Sequence, residues 1–379
     1  MLVISAKACS EIVRTFDNQG WHRTATEVDQ QSGQWLVRSL QAIGLDARAI
    51  PFPFGRVDAS ESSVSAGSFQ VSAVHLMDST LPPPNTTVRG FFGPGSVHLV
   101  QTEPHGVASG VEGARRGNFD AIVVAVAGER EGTALLNAWN YDNPGGAPVV
   151  QVPAAAWGDL VAARDAGLPV EVRCGGTRSE MTAFNVFATI PGSRGDKAPI
   201  VMLTPRSGWW HCAGERGGGL AIWLEVARIA RELSLERDLV LLATTGHELG
   251  FVGVKRYFDA EPELARRAIA WIHLGANIGA MESQLMVRAS DAALLALVRD
   301  VATDFRAIAP APVVGISDRP VGEAGEVFVR GGRFISLVGA GFPLFHSTLD
   351  RWPQAINTTA IVAAGHGVLQ IIGALDREP

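Results

Sequence analysis

Cysteine is scarce in this sequence of 379 residues, which contains only Cys9, Cys174 and Cys212. An odd, widely spaced set of cysteines argues against the disulfide framework that holds many secreted domains together. Sparse free thiols are typical of a reducing compartment. We therefore expect the protein to be cytoplasmic.

Charged residues are also few, since Asp, Glu, Lys and Arg together make up 18% of the chain, below a typical value of about 25%. The formal net charge is -6, and no run is rich in Lys or Arg. Binding to nucleic acid or to an anionic membrane requires a basic surface that neutralises phosphates. The sequence therefore predicts neither kind of partner.

Long apolar runs are absent as well. Runs such as residues 121–127 fall far short of the roughly 20 residues that a transmembrane helix needs. What the chain does contain is 47% hydrophobic residues and 42 glycines, a composition typical of a globular protein with many loops. At roughly 150 residues per domain, its length predicts two or three domains.

The apolar patterns divide the chain into three parts. Residues 26–43 have apolar side chains at helical spacing and are predicted to form an amphipathic helix. Residues 50–175 carry short β-rich runs broken by turn sequences, which predicts a mainly β unit. Beyond residue 180 strands alternate with helices, which predicts an open α/β sheet with ligand sites at the carboxyl ends of its strands. The main elements of this last part are strands at 184–190, 199–204, 238–245, 270–274 and 334–339 and helices at 218–233, 250–258, 291–306 and 355–375.

Three loops that follow predicted strands carry unusual residues. The strand at 199–204 is followed by PRSGWWHCAGERGGG, the strand at 238–245 by GHELGFVG, and the strand at 334–339 by a loop containing FHSTLD. With NVFATIPG before them, this order resembles the zinc aminopeptidase family, which includes bacterial leucyl aminopeptidases, glutamate carboxypeptidase II and glutaminyl cyclase.

The resemblance implies a zinc-exopeptidase-like three-layer α/β/α sandwich with a smaller, mainly β domain similar to a protease-associated domain. On this basis residues 1–48 are an N-terminal helical segment that packs on the catalytic domain. Residues 49–178 are the protease-associated-like domain, and residues 179–379 are the exopeptidase-like catalytic domain.

The peptidases of this family hold two zinc ions with five ligands, and the resemblance assigns each ligand a position here. Two positions cannot bind a metal, because they are Arg206 and Gly275. The other three are Glu215, Glu248 and His346, which the resemblance implies belong to one of the two metals. Glutaminyl cyclases of the family use one zinc held by the equivalent trio. The expected cofactor is therefore one divalent metal, with zinc favoured over Mn or Fe(II), or none.

The same alignment suggests roles for neighbouring residues. His247 falls at the position of the family's general base and could carry a proton, since the usual pKa of histidine is about 6.5. Arg206 would place a fixed charge near a substrate carboxylate or a developing oxyanion. Asp350 would orient His346.

Substrate contacts are predicted from the aromatic residues of these loops. Trp209, Trp210 and Phe345 suggest an apolar pocket wall, and His211 and Arg216 lie beside them in the sequence. The expected substrate is a small molecule or a short peptide-like molecule with an aromatic or hydrophobic group.

Three functional readings remain open at this point. The first is an amide hydrolase with a single metal, and the second is an acyltransferase of the glutaminyl cyclase kind. The third is a metal-free member, either a pseudopeptidase or an enzyme that uses His247, Arg206 and Cys212 directly. In the third reading Arg206 and Arg216 pair with Glu215 and Glu248. A homo-oligomer is compatible with all three.

Overall fold

The computed structural model describes residues 3–104, 109–128 and 132–379 of the chain. Within these ranges the protein is a mixed α/β structure with two sheets. The helices are α1 (Ala6–Gln19), α2 (Glu27–Ala42), α3 (Ser109–Arg115), α4 (Trp157–Asp165), α5 (Gly218–Ala230), α6 (Val252–Ala260), α7 (Leu264–Arg267), α8 (Ala292–Val301), α9 (Ala324–Val329) and α10 (Thr358–Arg377). The strands are β1 (Arg48–Ala59), β2 (Ser62–Ala66), β3 (Phe69–His75), β4 (Thr86–Phe91), β5 (Val97–Thr102), β6 (Ala121–Val126), β7 (Val149–Pro153), β8 (Pro169–Cys174), β9 (Gly176–Ile190), β10 (Ile200–Pro205), β11 (Leu239–Thr244), β12 (Ala270–Leu274), β13 (Gln284–Ala289), β14 (Val313–Ile316) and β15 (Phe334–Ala340).

The large sheet has eight strands in the order β1-β9-β11-β10-β12-β15-β13-β14. Its four central neighbours, β11, β10, β12 and β15, are parallel to one another. β9 joins antiparallel to β11 on one side, and β13 joins antiparallel to β15 on the other. β10 and β11 are buried along their whole length, as expected for parallel strands covered on both faces.

Alternate residues of β10 show how the layers form. Ile200 and Met202 belong to the core shared with α1, α2, α5, α8 and α10, whereas Val201 and Leu203 belong to the core shared with α6, α7 and α9. Successive side chains of a strand point to opposite faces, so helices cover both sides of the sheet. The predicted three-layer α/β/α sandwich is confirmed.

The second sheet has seven strands in the order β4-β8-β2-β3-β7-β6-β5 and a core of its own. The predicted domain limits at 48/49 and 178/179 fall at β1 and inside β9. These two strands pair with each other from Arg48 opposite Phe187 to Ala59 opposite Gly176, and both belong to the large sheet. The segment between residues 59 and 176 therefore leaves the large sheet and returns to it at one point.

α1 and α2 lie within residues 1–48, where the sequence predicts an N-terminal helical segment, and they pack on the part of the chain that carries the large sheet. Cys9, Val13 and Phe16 of α1 are fully buried in the same core as α5 and α10. α10 is long and apolar enough to span a membrane by length and composition, and 56% of its most apolar window is buried inside the protein. Its buried face packs on α1, α5 and α8.

Gly218, the first residue of α5, allows the close packing of this helix against a neighbouring loop. A Cβ atom at this position would lie 1.8 Å from the carbonyl oxygen of Ile278. We expect Gly218→Ala to lower the free energy of unfolding by about 1–3 kcal/mol or more, because the backbone must shift. Urea unfolding followed by circular dichroism measures this change.

Gly158 of α4 provides the matched control, because a Cβ atom there would meet nothing within 4 Å. Gly158→Ala should leave the stability unchanged or raise it by up to about 1 kcal/mol, since alanine favours helix more than glycine does. Equal losses in both variants would contradict the packing argument.

Candidate functional site

The candidate site lies where the four parallel strands of the large sheet end. The loop after β10 carries Arg206, the loop after β11 carries His247 and Glu248, and the loop after β15 carries His346. Because β11, β10, β12 and β15 are neighbours and parallel, their carboxyl ends lie at one edge of the sheet. The sequence-based placement of the site at this edge therefore agrees with the topology.

Three non-glycine residues in these loops adopt left-handed backbone conformations. Their φ angles are 56° at Cys212, 63° at Phe251 and 58° at His346. Such conformations cost energy for residues with a Cβ atom and are concentrated at functional sites. The strain is thus located next to the predicted site residues.

Glu215 lies in a π-helical turn, Ala213–Gly217, directly before α5. The turn is held by Asp350, whose carboxylate oxygens accept hydrogen bonds from the amides of Gly214 and Glu215. The sequence-based role of Asp350, to orient His346, is not what its contacts show. His346 instead donates from Nδ1 to the carbonyl oxygen of Leu135, at 2.8 Å.

The carboxylate of Glu215 faces one cationic and one imidazole side chain. Its Oε1 atom is 2.7 Å from Nη2 of Arg216 and 3.4 Å from Nε2 of His346. Burial by itself would raise the pKa of Glu215, but the charge of Arg216 and the interaction with His346 outweigh it and lower the pKa to about 2. Glu215 is therefore ionised at neutral pH.

Glu248 has its own hydrogen-bond partners. Thr24 donates to Oε1 at 2.8 Å, and Ser207 donates to Oε2 at 2.7 Å. The Ser207 hydroxyl also accepts the amide of Gly246, at 2.7 Å. Burial raises the pKa of Glu248, and the hydrogen bonds from Ser207 and Thr24 lower it by less than burial raises it.

These contacts test whether the predicted trio fits a divalent metal. Glu215 and His346 face each other, but the guanidinium of Arg216 already lies against Glu215, and both oxygens of Glu248 are engaged by hydroxyl groups. The described residues include no group of three His, Cys, Asp or Glu side chains that could hold a metal ion. A catalytic zinc needs about three protein ligands, so the residues present do not fit one.

The contacts of Arg206 differ from the substrate or oxyanion contact that the sequence suggested. Its guanidinium is fully buried and pairs with Asp29 of α2, with Nη1 2.6 Å from Oδ1. It also donates to the backbone oxygens of Asp29 and Phe184. These contacts explain Arg206 as a link between α2, β9 and the loop after β10.

A cavity of about 410 Å³ opens beside His247. Its wall is mostly apolar, which suits a small and partly hydrophobic ligand. Part of the wall comes from the segment inserted between β1 and β9, and the rest comes from the strand ends of the large sheet. The principal lining residues are Leu136, Asn137, Trp139, His247, His273, Asn277, Val321, Val338 and Phe345.

Glu323 lies behind His247 and was not found from the sequence. Its Oε1 atom is 3.5 Å from Nδ1 of His247, and the Thr244 hydroxyl lies 2.7 and 2.8 Å from its two oxygens. Burial raises the pKa of Glu323 to about 7. Glu323 belongs to no local motif, so the sequence did not indicate it as a site residue.

His273 completes this group. Its Nδ1 atom is 2.8 Å from the hydroxyl of Ser336, and burial lowers its pKa to about 3. A Cβ atom at Gly322 would lie 3.0 Å from the His273 ring and 3.5 Å from the His247 ring, so both rings lie beside the residue that precedes Glu323. Burial, followed by the charge of Arg216, holds the pKa of His247 well below its usual value. Both histidines are therefore neutral at neutral pH.

The remaining predicted substrate-binding residues occupy other places. Phe345 lines the cavity beside His247, whereas Trp209 and Trp210 line a second groove of about 650 Å³ next to Glu248. His211 is hydrogen-bonded through Nδ1 to the carbonyl oxygen of Asp17, at 2.7 Å.

Cys212 is the nucleophile that the metal-free hypothesis considered. It is buried, and burial raises the pKa of its thiol well above the usual value. Burial therefore disfavours the thiolate, which is the nucleophilic form of cysteine.

With this geometry established, comparison with solved structures defines the class of fold. The structure is similar to a peptidase M28 precursor from Shewanella amazonensis, with a TM-score of 0.79 and 18% sequence identity over 98% of this chain and 95% of that chain. It is also similar to a zinc aminopeptidase from Bacillus subtilis, with a TM-score of 0.77 and 14% identity over 98% and 95%. A glutaminyl cyclase from Porphyromonas gingivalis matches with a TM-score of 0.54 and 12% identity over 98% of each chain.

The protein therefore has the fold of zinc aminopeptidases and glutaminyl cyclases, as the sequence resemblance implied. No protein-family model and no curated protein sequence matches the chain. Because unrelated chemistries occur on one fold, the fold alone does not define the function, and the side chains of the site do.

Proposed function

We propose that the protein hydrolyses an amide or peptide-like bond of a small, partly apolar substrate in the cavity beside His247. The observation that carries this proposal is His247 at the cavity wall with the buried carboxylate of Glu323 behind it, 3.5 Å from Nδ1. An imidazole backed by a carboxylate is an arrangement that accepts a proton from an attacking water and later releases it.

The reaction can be written with these side chains alone. Water attacks the carbonyl carbon of the substrate and gives a proton to Nε2 of His247. The C–N bond then breaks, and His247 returns this proton to the leaving nitrogen. Glu323 faces Nδ1 and offsets the positive charge that His247 carries between the two steps.

The cavity supports a substrate with an apolar group. Leu136, Val338 and Phe345 line it, while Asn277 and His273 provide polar atoms at its wall. The Oδ1 atom of Asn277 and the Nε2 atom of His273 are buried and have no hydrogen-bond partner among the described residues. Buried polar atoms of this kind need a partner, and an amide group of a substrate would provide one once either side chain turns toward the cavity.

Two related functions compete with this one. A zinc hydrolase would need Glu215, Glu248 and His346 to converge on one ion, and their observed contacts do not favour that. A cyclase would use the same cavity with the substrate's own amine as nucleophile in place of water, and the glutaminyl cyclase fold match is the reason to test it.

Product analysis separates these functions. We would incubate the protein with aminoacyl amides, N-acyl amino acids, dipeptides and a peptide with an N-terminal Gln, and identify the products by mass spectrometry. Hydrolysis of an amide with an apolar side group supports the proposal. Pyroglutamate formation without hydrolysis would show a cyclase, and binding without turnover of any substrate would show a pseudopeptidase.

The pH dependence of the reaction should report Glu323. Glu323 stabilises the His247 imidazolium only when it is ionised, and burial raises its pKa to about 7. We therefore expect kcat/KM to rise as the pH increases through about 7 and to level off above it. Glu323→Gln should lower the rate and remove this inflection, whereas a profile that keeps the inflection in the variant would disprove the assignment.

A further inference from the structure

Arg216 is a fully buried guanidinium at the centre of the site. Its side chain has a relative exposure of 0%, and that of Glu215 beside it is 1%. Removing a guanidinium from water costs several kcal/mol unless it is well paired. Arginine is also always protonated in proteins, so this positive charge is permanent.

The hydrogen bonds of Arg216 fix its position but leave its outer nitrogens available. Nε donates to the carbonyl oxygen of Ser207, at 2.7 Å. Nη2 lies 2.7 Å from Oε1 of Glu215, yet neither atom has good hydrogen-bond geometry, so the contact is an ion pair without a hydrogen bond. Within the described structure both Nη atoms, both carboxylate oxygens of Glu215 and Nε2 of His346 are buried and unsatisfied.

Glu215 and His346 are two groups that would be expected to bind one cation together. The guanidinium of Arg216 lies against the first of them. Glu215 offers a carboxylate, and Nε2 of His346 is 3.4 Å from the same oxygen that faces Arg216. A carboxylate and an imidazole nitrogen are ligands that zinc accepts. A permanent positive charge beside them repels a metal cation and offsets the negative charge of Glu215.

We infer that Arg216 replaces a metal ion in this protein: its guanidinium supplies the positive charge that a bound divalent ion would bring to Glu215 and His346, and it keeps such an ion out. Structures with the same fold include a protein described as a zinc aminopeptidase, so the fold itself does not exclude a metal ion.

Removing the charge should expose the two ligands. In Arg216→Ala, the carboxylate of Glu215 and Nε2 of His346 lose the competing guanidinium. We expect this variant to bind zinc more strongly than the unaltered protein, with Glu215 and His346 as its protein ligands and water completing the coordination. Binding to the folded state should also raise the melting temperature of the variant as zinc is added.

Each protein is dialysed against zinc in the absence of chelator, and its zinc content is then measured by elemental mass spectrometry. Thermal unfolding of the same samples gives the melting temperature. Arg216→Lys retains a positive charge and should stay metal-free. Arg216→Ala combined with His346→Gln should lose the zinc that Arg216→Ala gains. Because each arm reads metal content or stability, its result does not depend on whether the proposed substrate is right.

Two results would overturn the inference. One is stoichiometric zinc in the unaltered protein that disappears in His346→Gln, because Arg216 would then not exclude the ion. The other is an Arg216→Ala variant that folds and binds no more zinc than the unaltered protein. If Arg216→Ala does not fold, Arg216→Gln takes its place, and the zinc content of the unaltered protein still decides the first outcome.

Discussion

Arg206→Met is expected to lower the free energy of unfolding by about 3–5 kcal/mol, because it leaves the buried carboxylate of Asp29 without its cation. Both side chains are fully buried, and the Nη1 and Oδ1 atoms are 2.6 Å apart. Asp29 would retain hydrogen bonds from the amide of Ala25 and the hydroxyl of Thr245. Urea unfolding monitored by circular dichroism would measure the loss.

Two further variants define the origin of this effect. Arg206→Met combined with Asp29→Asn should recover part of the lost stability, because no buried charge is then left unpaired. Arg89→Met removes an ion pair with Glu171 on an exposed face of the second sheet and should change stability little.

The same variant also decides between two roles for Arg206. The sequence suggested a fixed charge for substrate or oxyanion, whereas the structure shows an internal link to α2. A protein that keeps its stability after Arg206→Met but loses turnover would favour the first role.

His247→Gln is expected to lower kcat by about 100-fold or more, with a smaller change in KM, because it removes the group that accepts the proton from water. Glutamine keeps a polar side chain of similar length at the cavity wall but cannot carry the proton. Steady-state kinetics with the best substrate found by product analysis would measure both constants.

His98→Gln is the matched control for this change. His98 lies on β5 of the second sheet and packs against Phe119, outside the cavity. Its substitution should leave kcat and KM unchanged. An unchanged kcat in His247→Gln would show that His247 does not transfer the proton.

Much of the fold follows from local sequence patterns. β10 and β11 are continuous apolar runs buried on both faces, so they could be predicted without any partner information. α2 begins after Thr26, whose hydroxyl accepts the amide of Asp29, and its apolar residues recur at helical spacing. The strand-end location of the site then follows from the alternation of strands and helices.

Element boundaries were less predictable. The N-terminal helical segment expected at residues 1–48 contains two helices, α1 and α2, and α1 has Cys9, Val13 and Phe16 on one buried face at helical spacing. The predicted helix at 291–306 is shorter, because α8 ends at Val301 and a 3-10 turn, Thr303–Ala307, follows. Helix ends are weakly encoded, since the last turns are held by contacts from elsewhere.

The chemistry of the site was less predictable because it depends on side-chain direction. In the structure Oε1 of Glu215 is 3.4 Å from Nε2 of His346. Nothing in the sequence shows that the neighbouring Arg216 turns toward Glu215. Glu323 and His247 are 76 positions apart in the chain, and only the tertiary fold brings their side chains to within 3.5 Å. Such pairings are set by tertiary packing, which a motif does not record.

The register of β1 and β9 has a consequence for how this protein can change. Because Ala59 is paired with Gly176, the inserted segment enters and leaves through adjacent positions of one ribbon. It also supplies Leu136 and Trp139 to the cavity wall. Replacing this inserted segment by that of a related chain would alter which molecules fit the cavity, while the sheet that carries His247 would keep its architecture. Substrate selectivity and the fold of the large sheet can therefore evolve separately.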